Sequence, residues 1–384
     1  MSKEIAFKAI EWLFTNALLA DENERQVEIS FWGGEPLLKW DLLKDITLYA
    51  EDMSKRTAIP IQFGGTTNGT LLVPERFSFL DEHKIFFMIS FDGTKETHDY
   101  HRKTKQGFGS HAIVEKNLKQ ILNKWPFYRV RMSPFAERID HFYEDCKYIF
   151  DLGCNYLMFS PVYESNWTEE KWNIWENQCK QVVDYMAELK LKGRKVEIEH
   201  FKSYIGPDNS RWPCGSGRNY CHINHEGYIF SCHRAEKFND NRPFIEQELC
   251  LGHIDQGITK PEIREKFINF EPECKGKGCW GTSPCWGGCY MVNWDFNKDI
   301  TKPYFQVCRY VEMQKRVSQY YKERMVENTK DVSCMPYQGE RFSCDCYNAN
   351  YTGPTNHPQI TVETLALLVS DLNNRIAVLE KKIK

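Results

Sequence analysis

Ile85 to Phe91 reads IFFMISF, apolar at odd and even positions alike. A strand with two apolar faces belongs in a parallel sheet covered on both sides, not at a solvated edge. Units of this kind recur through the first part of the chain. Phe7, Ile10, Leu13 and Ala17 share one face of a helix predicted over Lys3 to Leu19. Val27, Ile29 and Phe31 alternate as a strand, and Ile59 to Phe63 reads as the next. Between them, Leu42, Leu43, Ile46, Tyr49 and Met53 mark one helical face. Ser110 is placed to cap a helix carrying Val114, Leu118 and Leu122. Tyr128 to Ser133 and Tyr156 to Ser160 complete five strands. Helix and strand alternating every roughly 25–35 residues predict an α/β fold with a parallel sheet, open or closed into a barrel.

The whole chain has 384 residues, 41% hydrophobic and 27% charged, enough for two domains and a tail. A net charge of −3 argues against a broad nucleic-acid-binding face. No apolar run of about 18 residues exists to span a membrane. The opening MSKEIAFKAIEWLF is not a secretory signal, because acidic residues interrupt any apolar core. The 15 cysteines are odd in number and none precedes Cys146. That asymmetry predicts a cytoplasmic protein with a metal-binding module toward its C-terminal end, not a secreted disulfide framework.

Three glycine turns close three successive strands. They are Gly33-Gly34-Glu35-Pro36, then Thr66-Thr67-Asn68-Gly69, then Ser90-Phe91-Asp92-Gly93 followed by His98, Asp99 and Arg102. Each alone suits an ordinary turn. Together, at C-terminal strand ends where parallel folds gather ligands, they are expected to line one pocket. Further on come Cys214, Cys221 and Cys232, then Cys274, Cys279, Cys285 and Cys289, and last Cys308. Thiolates at such short spacings converge on metal, and Gly287-Gly288 permits a sharp turn. Eight cysteines make two sites of four, and the spacing suits zinc and iron–sulfur equally. Cys146, Cys154, Cys179 and Cys250 read as small buried apolar residues, and Cys334, Cys344 and Cys346 as unligated thiols in a tail.

GGEPLL, TTNGTLL and SFDGTKETHDYHR resemble the core of radical S-adenosylmethionine (SAM) enzymes, over roughly Ser2 to Pro161. In that family the GGEP-type motif binds the amino group of the SAM methionine, which carries over to Gly33, Gly34, Glu35 and Pro36. Asn68, Ser90 and Arg131 match the family's SAM-contacting positions on the following strands. The fold implied is a partial (β/α)6 barrel. The cysteine pattern resembles the SPASM domain and its two auxiliary [4Fe–4S] clusters, although Cys274 to Cys279 is wider than the usual gap. The family's interleaved assignment gives Cys214, Cys221, Cys232 and Cys289 to one cluster. It gives Cys274, Cys279, Cys285 and Cys308 to the other. Trp280 and Trp286 are placed either to shield that second cluster or to pack as core. Sulfatase maturases of this type carry an acid directly after the third SPASM cysteine. Here that position is His233, a candidate catalytic base.

The resemblance also implies a CxxxCxxC loop after a first barrel strand, holding the catalytic [4Fe–4S] cluster. The 384 residues contain no such motif, and the opening helix looks like the one that follows it. The expectation is therefore a barrel missing its first strand, whose catalytic cluster comes only with an upstream segment. The domains expected are the partial barrel at 1–165, a connecting helix at 166–200, the SPASM domain at 201–315, a tail and linker at 316–358, and a coiled-coil helix at 359–384. The function implied is modification of a peptide or protein through a 5′-deoxyadenosyl radical, with a reductant protein as partner. The alternative is a non-catalytic iron–sulfur or zinc module that binds a peptide or partner. Val362, Leu365, Val369, Leu372, Ile376, Leu379 and Ile383 alternate at spacings of three and four. With β-branched residues at a and Leu at d, they predict a parallel homodimer through residues 361–384.

Overall fold

The computed structural model describes residues 1–204, 214–237, 240–275, 277 and 285–327. Cys279, Trp280, the cysteines of the tail and the C-terminal heptad helix lie outside the described residues. The first layer is a six-stranded sheet in which every neighbouring pair runs parallel, in the order β1 to β6. Its strands are β1 (Val27–Phe31), β2 (Ile61–Thr67), β3 (Ile85–Ser90), β4 (Arg129–Met132), β5 (Tyr156–Phe159) and β6 (Glu197–Ile198). The helices between them are α1 (Lys3–Leu18), α2 (Trp40–Thr57), α3 (Pro74–Glu82), α4 (Lys95–His101), α5 (His111–Lys124), α6 (Phe142–Asp151) and α7 (Glu169–Leu191).

Burial alternates along the strands. Ile85, Phe87 and Ile89 of β3 and Val130 and Met132 of β4 are buried in one continuous core with Val114, Leu118 and Ile149 from the helices. The residues between them line a second, more open face. On it Phe86 and Met88 are only half-buried, so the two-sided burial expected of IFFMISF is not met. The partners in register there include Glu28 with Gln62, Ser90 with Arg131, and Arg129 with Tyr156. Six parallel strands thus present a largely polar face whose upper rim is formed by the turns after β1 to β4.

Three sequence expectations are corrected. The second strand runs on through Thr66 and Thr67, because Thr66 and Thr67 pair with Met88 and Ile89. A sixth strand, two residues long, follows α7. Ser110 does not cap α5 with its side chain. Its hydroxyl donates to the carbonyl of Arg102, while Asp99 Oδ1 accepts from the amide of His111 at 2.8 Å and takes over the capping.

The second layer is an antiparallel sheet in the order β10-β9-β8-β7, with strands β7 (His222–Ile223), β8 (Tyr228–Phe230), β9 (Cys250–His253) and β10 (Gly257–Ile258). Phe230, Leu249, Cys250, Phe267, Tyr290 and Met291 form its core with α8 (Pro261–Ile268) and α9 (Tyr290–Asn297). Two elements tie the layers together. Helix α1 turns Ile10 and Phe14 into the parallel-sheet core, and Ile5, Ala9 and Trp12 onto Ile229, Leu251 and Ile254. Helix α10 (Phe305–Tyr321) lies along α7, where Gln306 accepts from the Trp172 indole at 2.7 Å and Arg316 meets Glu176 at 2.7 Å. No helix among the described residues is long and apolar enough to cross a membrane.

Candidate SAM and cysteine site

The turn after β1 begins with Trp32. Gly33 follows at φ 138°, a conformation that a side chain at this position would strain. A Cβ at Gly33 or Gly34 would meet nothing within 4 Å, so one side of this turn is open. The carboxylate of Glu35 is fully engaged. It accepts from the amide of Leu37 at 3.1 Å, the hydroxyl of Thr67 at 2.8 Å and the amide of Asn68 at 2.7 Å. Glu35 therefore caps the short 3-10 turn Pro36–Lys39 and binds it to the end of β2. Asn68 is used locally, its Oδ1 accepting from the amide and hydroxyl of Thr70.

The third turn is a polar network. Asp92 is buried and paired bidentately with Arg102, and its Oδ1 also accepts from the amide of Ser133 at 2.8 Å. His98 is fully buried. Its Nδ1 accepts from the amide of Asp92 at 3.3 Å and its Nε2 faces the Ser110 hydroxyl at 3.0 Å. Burial holds its pKa down to about 4, so the ring is neutral. His98, Asp99 and Arg102, which follow the third turn, brace it through Ser110, the amide of His111 and Asp92. Gly93 leaves room for Asp145, a residue that no motif marks. Asp145 Oδ1 accepts from the amide of Thr94 at 2.9 Å and its hydroxyl at 2.6 Å, and burial lifts its pKa to about 6.

Arg131 stands beside Ser90 in register and donates to Ser133 Oγ at 3.1 Å. No carboxylate lies within ion-pair distance of it among the described residues. Burial, with Arg102 and Arg234 nearby, lowers its pKa. It is a cation at the rim of the polar face whose anion in reach, Asp92, is already paired bidentately with Arg102.

The cysteine-rich layer faces the same rim. Cys232 is buried, and desolvation pushes its thiol up to about 11, with Cys289 and Cys214 adding to the rise. Cys214 is raised too, by burial first and then by Cys289. These three thus lie within electrostatic reach of one another, as one expected ligand set requires. Burial alone raises Cys221, also to about 11. Cys274, Cys285 and Cys308 are half-buried. Among the described residues, no three Cys, His, Asp or Glu are grouped to hold a single metal ion. Cys214, Cys232 and Cys289, close enough to act on one another's thiols, are of the donor type that iron–sulfur clusters use, and in that chemistry they fit such a group. Trp286 holds a left-handed backbone at φ 51°, and its indole nitrogen is buried without a partner.

His233 joins the two layers. Its ring stacks on Trp32 with centroids 4.3 Å apart and planes 12° apart. Its Nδ1 lies 2.9 Å from the Tyr220 hydroxyl and 3.7 Å from Cys232 Sγ. Desolvation first, then His222, Arg234 and Arg131, lower its pKa to about 4. Arg234 spans the same seam, bonded to Glu164 at 2.6 Å and Asp295 at 3.3 Å. Trp32 and Tyr220 escaped the sequence reading. Trp32 could have been found, since a large aromatic directly before a double-glycine turn has to pack somewhere.

No family model matches the chain. A cysteine-type anaerobic sulfatase-maturating enzyme of Clostridium novyi is 24% identical over 283 residues, 70% of this chain and 74% of that one. A serine-type anaerobic sulfatase-maturating enzyme of Bacteroides thetaiotaomicron is 28% identical over 158 residues, 39% of this chain and 36% of that one. Among solved structures, native anSMEcpe with bound AdoMet and the Kp18Cys peptide superposes with a TM-score of 0.64. That match covers 84% of this chain and 91% of that one, at 19% identity. In sequence the chain is a relative of the anaerobic sulfatase-maturating enzymes, which are radical SAM proteins of the SPASM type, and it shares their α/β fold.

Proposed function

We propose that the chain is a radical SAM enzyme of the SPASM type that modifies a peptide or protein substrate. The observation that carries this is the rim of the parallel sheet. An open glycine turn, the register pair Ser90–Arg131 and a half-buried cation whose neighbouring anion is paired with Arg102 stand there, facing the layer that carries Cys214, Cys232 and Cys289. SAM carries one ammonium and one carboxylate on its methionine end. The turn Gly33-Gly34-Glu35-Pro36 takes the ammonium in this reading, and Arg131 with Ser90 takes the carboxylate, which supplies an anion not already paired with Arg102. Asn68 braces the turn through its amide, which donates to Glu35. Iron–sulfur clusters supply the electron that splits SAM to methionine and a 5′-deoxyadenosyl radical. Cys214, Cys221, Cys232 and Cys289 would hold one auxiliary cluster, and Cys274, Cys279, Cys285 and Cys308 the other.

The sheet is read as a partial (β/α)6 barrel that runs past the expected limit at 165, through α7 to β6 at Ile198, followed by the SPASM domain at 201–315. A reductant protein and a cytoplasmic setting go with this reading. From the relatives we carry over SAM and a peptide or protein substrate, and not formylglycine formation. A neutral His233 held between Trp32 and Cys232 occupies the position where an acid is expected in that reaction.

The test is anaerobic reconstitution followed by metal analysis and SAM titration. The reading expects about eight irons per chain, and SAM binding that weakens in Arg131→Ala and Glu35→Ala. Stoichiometric zinc with no SAM binding would replace it with the zinc-module alternative.

A further inference from the structure

We infer that the Trp32–His233 stack is a positioning device that couples the order of the glycine turn to the cysteine-rich layer. The inference rests on the reading of that turn as a SAM site and extends it to how the site is controlled. The turn has two flanks. On one, Glu35 fixes it to β2 through Thr67 and Asn68. On the other, a Cβ at Gly33 or Gly34 would meet nothing within 4 Å among the described residues. Trp32, the residue immediately before Gly33, reaches across, and the ring it stacks on is His233.

His233 is itself held from two sides. Tyr220 faces its Nδ1 at 2.9 Å, and the chain on either side is pinned by Cys232 in the module core and by Arg234 bonded to Glu164 and Asp295. Trp32 is 37% exposed, so its position is not set by burial. A partly exposed indole has several rotamers open to it, and stacking on a fixed ring selects one. Selecting it limits the backbone of Gly33, which lacks a side chain to limit it otherwise. A module that is folded and holds His233 in place therefore favours an ordered turn. By linkage, a ligand that orders the turn favours the docked module to the same extent.

Trp32→Ala, His233→Ala, the double variant and His233→Phe are made in the full chain. Two measurements are taken under anaerobic conditions: hydrogen exchange of the segment spanning residues 31–38, and the dissociation constant for SAM. Both alanine variants should speed exchange at Gly33 and Gly34 and weaken SAM binding about fivefold, the weight of one aromatic pair. The double variant should be no worse than either single, because one contact is lost in each. His233→Phe keeps a stacking ring and should behave as wild type. The coupling is refuted if His233→Ala leaves exchange at the turn unchanged. It is refuted equally if the two single effects multiply, or if His233→Phe is as damaging as His233→Ala, which would put the weight on the imidazole's bond to Tyr220. The exchange arm does not depend on SAM. Wild-type protein that fails to bind SAM while exchange responds as expected would overturn the SAM reading and leave the coupling standing.

Discussion

Asp145 offers a perturbation whose sign and size both come from its surroundings. It is 1% exposed and its pKa is lifted from 3.8 to about 6, with burial the largest cause. The folded chain thus keeps a proton that the unfolded chain has released between these two values. Stability contributed by that proton is complete below pH 3.8 and is lost as pH rises through 6. A shift of about two units corresponds to about 3 kcal/mol between the ends of the window. Both hydrogen bonds from Thr94 end on Oδ1, at 2.9 and 2.6 Å, so an amide oxygen at the same place can accept both. Asp145→Asn should therefore keep the geometry and remove the ionisation cost. His98 has the opposite slope. Its pKa falls from 6.5 to about 4, so its contribution is present above 6.5 and lost as pH falls toward 4. The two partly cancel in the wild type, and only the difference between variant and wild type isolates Asp145. Calorimetric unfolding midpoints across pH 4 to 7.5 provide the assay. The variant should match wild type at the acid end and exceed it on the order of 5–10 °C at the neutral end. A difference that does not change with pH would refute the burial argument.

Other outcomes follow from the same structure. Glu35→Ala removes the acceptor for three donors and should weaken SAM binding at least tenfold, read by calorimetric titration, without unfolding the sheet. The reconstituted chain should hold two [4Fe–4S] clusters and not three, because no cysteine precedes Cys146; iron near twelve per chain would contradict about eight. Light scattering should give dimer mass for the full chain and monomer mass for one ending at His357, if residues 361–384 pair as a parallel coiled coil.

Where local pattern decides, the sequence was readable. The existence of β3 and of the long α7 could be drawn from local pattern, although β3 buries one row and not the two expected, and the glycine turns lie at the strand ends where they were expected. Contacts between distant residues were not readable. Ser110 was taken as a cap by residue type, but its hydroxyl is captured by a carbonyl eight residues earlier in the chain, and Asp99 caps instead. Two residues of β6 carry too little pattern to announce a strand. His98 and Arg102 follow the third glycine turn in sequence, and their pairing with Ser110 and Asp92 across the fold carries no local signal. The stack of Trp32 on His233 spans some two hundred residues and leaves no local signal. The second stripe of α1 was available at spacings of four and three, as Ile5, Ala9 and Trp12, beside the one that was read.

That second stripe has a consequence for how the chain is made. Ile5, Ala9 and Trp12 leave the ribosome more than two hundred residues ahead of Ile229, Leu251 and Ile254, which cover them. At roughly 5–20 residues per second, the interval is tens of seconds. During it, the nascent parallel sheet carries an uncovered apolar ridge along its first helix. The closing contact also has very high sequence separation, the kind that slows folding because loop entropy is lost before any contact is gained. Lys8, which meets Asp255 at 3.0 Å in the finished fold, puts a charge beside that ridge from the start. A charged flank of this sort keeps an exposed apolar strip from pairing with another chain while it waits for its own.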